Sequence, residues 1–248
     1  VYPNSSVDRA EPSILFESSD IPIPPELVIS QIGKQFFGVQ NSSELSKLGT
    51  NNPIGTKREF WVINQAGQKM DLLEAELYFQ SPNVDWYIQD ELGPNREKWE
   101  NIVATFGPMF LQPILERFGN DVSLDSWKFT VLYADIQGVG GYFRFADHYS
   151  KKINPFSNEE SIIYINSSVG PVGTAEFLRT LVHELQHLIH YRSDPTEETW
   201  VNEGLSGLAE LLSGYPLNSW RDYLRDPSVS LINWGPSGSH SSAQYAAS

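Results

Sequence analysis

The segment Leu181-Val-His-Glu-Leu-Gln-His-Leu-Ile-His190 constrains this chain more than any other stretch of its 248 residues. His183 and His187 are four residues apart, and in an α-helix positions i and i+4 lie on one face, one turn above each other. Leu181, Val182, Leu185, Leu188 and Ile189 form the apolar stripe that buries the rest of such a helix. Thr174 stands where an N-cap is needed, Phe177 where a staple-like apolar contact belongs, and Asp194-Pro195 where a helix must stop. The pattern predicts a long buried helix from about residue 174 to about residue 192 that presents two imidazoles in one direction.

Two imidazoles so placed can converge on one Zn²⁺ at about 2.0–2.1 Å. Glu184, beside His183, occupies the place of a general base that takes a proton from water activated at the metal. The chain has only 5 His, so this spacing with Glu in second place is not expected from composition. The ordinary alternative is a pair of surface histidines on an amphipathic helix. A catalytic zinc needs a third protein ligand and an open position. The metzincin pattern would place Gly at 190 and His at 193; His190 and Ser193 stand there, and that pattern fails. The next helical run, about 197–212, carries Trp200-Val-Asn-Glu-Gly-Leu205. A helical hairpin would bring Glu203 back over the two histidines.

The chain upstream divides by composition. Residues 1–27 hold five prolines among Ser, Asn and Asp and read as an extended arm or linker. Residues 28–90 read as an antiparallel β-rich N-terminal domain, with strand patterns near 58–64, 74–79 and 84–88. Residues 91–248 form the domain that holds the site. In it, 95–118 has helical spacing interrupted at Pro108 and Pro113, 128–133 and 161–166 read as strands, and 217–225 as a short helix. The absence of cysteine excludes disulfides, thiolate ligands and a cysteine nucleophile. A net charge of −14 argues against a nucleic-acid partner and would suit bound Ca²⁺. No apolar run reaches the length of a membrane span. The start at Val1 reads as a processed or trimmed product without its signal peptide, and the last residues, Tyr245-Ala-Ala-Ser248, read as the opening turn of a helix that is cut short.

From about residue 138 onward the chain resembles the secreted bacterial gluzincin zinc metallopeptidases, near the hyicolysin-type neutral metallopeptidases. The likeness is carried by Gly140-Gly-Tyr-Phe143, Asn154-Pro-Phe-Ser-Asn158, Tyr164-Ile-Asn166, the His183-Glu-Leu-Gln-His187 helix and Thr199-Trp-Val-Asn-Glu-Gly-Leu205. It implies an α+β fold: a zincin-like catalytic domain over 91–248, with a small mixed sheet, the two-histidine helix and following helices, truncated at its C-terminus. It implies His183, His187 and Glu203 as Zn²⁺ ligands and Glu184 as base in hydrolysis of peptide bonds, an extracellular setting and protein or peptide substrates. It further implies a Tyr or His that stabilises the oxyanion. Tyr245 is preferred because Tyr-Ala-Ala resembles the start of a helix in the relatives; Tyr215, Tyr223 and His240 are the other candidates.

The resemblance also implies that residues 161–166 are the edge strand that binds substrate backbone, with Gly140-Gly141 as a wall of the cleft. One departure is Gly207, which stands where related enzymes place an Asp that orients the first histidine. Glu210, two turns beyond Glu203 on the same face, is positioned to serve instead, although a plain surface role is the ordinary expectation. His190 reads as a helix C-terminal cation and His148 as a solvated loop residue. Competing readings are a non-catalytic binding module on the same fold and an aminopeptidase. The latter needs an acidic cluster for the substrate amine, and the sequence shows none.

Overall fold

The computed structural model describes residues 52–216, apart from 94, 120–126 and 196, together with 224, 225 and 227. The arm at 1–27, the start of the β-rich region, most of the helix expected at 217–225, and Tyr223, His240 and Tyr245 lie outside the described residues.

Six strands form one mixed sheet: β1 Lys57–Asn64, β2 Lys69–Gln80, β3 Val84–Gln89, β4 Phe129–Ala134, β5 Gly141–Phe143 and β6 Ile162–Asn166, in the order β1-β2-β3-β4-β6-β5. The first three form an antiparallel meander. β3 then pairs in parallel with β4, with Val84 opposite Phe129 and Ile88 opposite Tyr133. β4 pairs in parallel with β6, and β5 closes the sheet antiparallel to β6. The β-rich N-terminal region is therefore not separate from the part that holds the site. The boundary drawn at residue 90 falls between two hydrogen-bonded neighbours. β3, β4 and β6 are buried on both faces, as strands in the middle of a covered sheet must be.

Helices lie against one face. α1 Arg96–Phe106 runs through a π-helical turn at Gly107–Leu111 into α2 Gln112–Phe118. Pro108 and Pro113 cannot donate to the helical ladder, and the wider turn between them is the local answer to that loss. Trp99 of α1 is the hub of this face, with ring centroids 5.8 Å from Trp86, 5.5 Å from Tyr133 and 5.8 Å from Phe177. A register shift between Leu77 and Phe79 turns Phe79 into this core, whereas Ala75 and Leu77 face the other side.

The second face packs Phe60, Leu77, Tyr87, Leu132 and Tyr164 together, and the segment between β5 and β6 joins it through the Asn158 amide, which donates to the Tyr164 hydroxyl at 2.6 Å. There Arg144 is fully buried and donates to Asp147 at 3.0 Å and 2.5 Å. The same carboxylate accepts from the Tyr164 hydroxyl at 2.6 Å and the Asn158 N–H at 2.8 Å. This satisfied buried network ties the segment following β5 to β6 and so holds the sheet edge nearest the site. The sequence reading does not single out Arg144 or Asp147. Gly138, at φ +95°, sits where a Cβ would come 2.9 Å from the Ala66 nitrogen, which explains the glycine at the entry to β5.

α3 Ala175–Ser193 and α4 Thr199–Leu212 complete the fold. The Thr174 hydroxyl caps α3 by accepting from the Phe177 N–H, and Phe177 is buried against Trp99. The helix that carries the two histidines is thus anchored to the sheet at its first turn. Among the described residues no helix is long and apolar enough to cross a membrane.

Candidate metal centre

α3 buries Leu181, Val182, Leu185, Leu188 and Ile189 and turns His183 and His187 toward α4. Their rings are 4.8 Å apart between centroids and nearly perpendicular, at 80°. Glu203 of α4 meets both. One carboxylate oxygen lies 3.2 Å from His183 Nε2 and the other 3.6 Å from His187 Nε2. One ligand atom from each of the three residues falls within 4.8 Å of the others. A tetrahedral metal with bonds of about 2 Å would hold its ligand atoms about 3.3 Å apart, so this donor set fits a metal. Their side chains keep 19%, 14% and 16% exposure, so the cluster is reachable from solvent. No second group of three such residues occurs among the described residues.

The outer nitrogens are also engaged. His183 Nδ1 lies 2.7 Å from Glu210 Oε1, so Glu210, one helical turn beyond Gly207 along α4, is the residue that holds the outer nitrogen of His183. Arg179 reaches the other Glu210 oxygen at 3.7 Å. His187 Nδ1 lies 3.1 Å from the Ser206 hydroxyl, which donates to Gln186 Oε1 at 2.5 Å. The sequence reading does not single out Ser206 or Gln186. The available signal was a Gln in the otherwise apolar stripe of α3.

Charge follows from this packing. Burial opposes a proton on His183, but the hydrogen bonds to Glu203 and Glu210 and the nearby Glu184 hold its pKa well above the usual imidazole value. Burial likewise opposes ionisation of Glu203, yet His187 and His183 keep its carboxyl far below the ordinary range. Glu184 behaves in the opposite sense. Burial raises its pKa, only partly offset by His183 and His187. The backbone N–H of Phe143 in β5 works in the other direction, favouring the ionised carboxylate.

The strand order corrects the expected edge. β6, residues Ile162–Asn166, is paired on both sides and is interior; β5 is the outer strand beside α3. Gly141 in β5 approaches α3 so closely that a Cβ would stand 2.6 Å from Thr180 Cγ2 and 3.4 Å from Glu184 Cγ. Two histidines also differ from expectation. His148 is half-buried, 2.9 Å from Ser161 Oγ and packed on Phe143 and Tyr191, and burial pushes its pKa down to about 4. His190 sits in the last turn of α3, as expected, but burial lowers its pKa and so works against the cationic form. Tyr215, among the candidates for the oxyanion, packs against the hydrophobic core.

No protein-family model matches the chain, and no curated protein does. The chemistry of the site is therefore read from its residues.

Proposed function

We propose that the chain is a zinc metallopeptidase that cleaves peptide bonds within proteins, of the gluzincin type. The observation that carries the reading is the convergence of His183, His187 and Glu203, with the buried Glu184 carboxyl beside them on α3. His183 and His187 would hold the metal through Nε2, and Glu203 through its carboxylate. Bound there, Zn²⁺ supplies Lewis acidity that polarises a carbonyl and makes water a nucleophile near neutral pH.

The protein's own part follows from its geometry. Glu184 is buried and its pKa is raised, so it can take the proton from the attacking water and hold it on its carboxyl for delivery to the leaving amine. The Phe143 N–H favours the ionised form of that carboxyl. β5 offers its outer edge to an extended substrate, which would add to the sheet as a further strand and run past Glu184. Gly141 keeps this strand close to α3. Tyr245 remains the candidate for stabilising the oxyanion, on the strength of the resemblance alone.

The test is casein or peptide cleavage by the full chain, with zinc measured on the purified protein. Activity that a chelator removes and zinc restores, and that Glu184→Gln abolishes, is expected. Cleavage indifferent to both would overturn the reading.

A further inference from the structure

The two histidines are held from behind in different ways. Glu210 is a carboxylate, and an ionised carboxylate can only accept. It therefore calls for a proton on His183 Nδ1, so that Nε2, which faces Glu203, is the nitrogen a metal would take. His187 has no such partner. Behind it stands the Ser206 hydroxyl at 3.1 Å, and a hydroxyl can donate as readily as it accepts. A donating Ser206 would select the opposite tautomer, with the proton on Nε2, where a metal ligand must have none.

Gln186 removes that ambiguity. It is completely buried, as is Ser206, and its Oε1 takes the hydroxyl proton at 2.5 Å. Its Nε2 has no hydrogen-bond partner among the described residues. The bond from Ser206 is thus the one the Gln186 side chain makes there, and leaving a buried amide donor unpaired costs stability.

We propose that Gln186 and Ser206 are positioning residues for His187. The Gln186 carbonyl consumes the only proton of the Ser206 hydroxyl, so Ser206 can only accept from His187 Nδ1–H. His187 Nε2 is then the ring nitrogen that faces Glu203 and the one that would give its lone pair to a metal. The protons balance: one hydroxyl proton lies toward Gln186, one imidazole proton lies on Nδ1, and nothing is transferred. The value of this relay to a metal rests on the zinc reading above; the direction of the hydrogen bonds does not.

The test is ¹⁵N NMR of the His187 ring in the metal-free full chain, followed by zinc affinity from competition with a chromophoric chelator. In the native protein and in Gln186→Glu, which still accepts, Nδ1 should carry the proton. In Gln186→Leu, Nδ1 should shift to the unprotonated type, and zinc binding should weaken about 10-fold or more. Gln186→Met provides a second acceptor-free variant should the Leu variant fold poorly. Ser206→Ala should weaken zinc to a similar extent, and adding Gln186→Leu to it should cost little more, since both break one relay. An unprotonated Nδ1 in the native protein, or an unchanged ring in both Gln186→Leu and Gln186→Met, would overturn the proposal. A native protein with Nδ1 protonated and switched by Gln186→Leu, but with no affinity for zinc, would uphold the relay and sink the metallopeptidase reading instead.

Discussion

His183 Nδ1 and Glu210 Oε1 lie 2.7 Å apart across the seam between α3 and α4, seven residues along α4 from Glu203. Seven residues are two helical turns, so one face of α4 offers a carboxylate to each nitrogen of the His183 ring. Partners of this kind set the tautomer and basicity of a ligating histidine. Glu210→Ala should weaken zinc binding about 10–100-fold. Glu210→Gln, whose amide can still turn its oxygen to Nδ1, should lose less. Chelator competition measures both, and native affinity in the alanine variant would show that the contact does not matter.

Glu184 is separable from the ligands. Glu184→Gln preserves the shape and removes the base. Turnover of a peptide substrate should fall by about 10²–10⁴-fold, while bound zinc, measured by atomic absorption, stays at the native level. Loss of the metal together with activity would mean that Glu184 has a different role.

Gly141 couples the edge strand to the active helix. Gly141→Ala places a methyl group against Thr180 Cγ2 at 2.6 Å and the Tyr164 carbonyl at 2.9 Å. Overpacking of this kind costs about 1–3 kcal/mol, and it should also push β5 away from Glu184, whose Cγ stands 3.4 Å from the added methyl position. Thr180→Ser removes the offending methyl but keeps the hydroxyl that donates to the Glu176 carbonyl at 3.0 Å. The double variant should regain part of both stability and activity, as read by denaturant melts and peptide turnover. No effect of Gly141→Ala on either would contradict the close approach.

His148 predicts a direction for acid sensitivity. Its pKa is pushed from 6.5 down to about 4 by burial, against the attraction of Asp147. Below pH 6.5 the unfolded chain binds a proton at this position and the folded chain does not, so stability falls as pH drops from about 6.5 to about 4 and is level with respect to this group below that. The half-buried ring limits the loss to on the order of 2 kcal/mol. Subtracting the pH–stability curve of His148→Asn from the native one should reveal this slope, and parallel curves would refute it.

Trp99 binds α1 to both the sheet and α3. Trp99→Ala removes the contacts to Trp86, Tyr133 and Phe177 and should cost about 3–5 kcal/mol in urea unfolding. Because Phe177 sits in the first turn of α3, zinc affinity should fall with it. A loss below about 1 kcal/mol would mean that the core repacks around the gap.

Much of this arrangement was legible along the chain. The apolar stripe, Thr174 and Asp194-Pro195 marked α3 to within about a residue of its observed ends, because caps and helical periodicity are local. His183, Glu184 and His187 were legible for the same reason: four residues of helix fix their relation without reference to anything else. Glu203 and Glu210 required a hairpin, and only the packed α3–α4 seam shows that both reach His183. The strand order was not legible. Residues 161–166 were legible as a strand, yet their sequence could not name the strand's neighbours, and the edge position expected for it fell to β5. Strands pair through backbone groups that every residue shares, so side chains do not say which strand lies outermost or that β3 would join β4 across the expected boundary. Gln186, Ser206 and His148 are of the same kind. Their chemistry is written in the sequence, but burial and the direction of a hydrogen bond exist only once distant segments have met. The sequence by itself determined which side chains could hold a metal and move a proton; the tertiary structure decided which of them face one another, which strand borders them, and which partners set their protons.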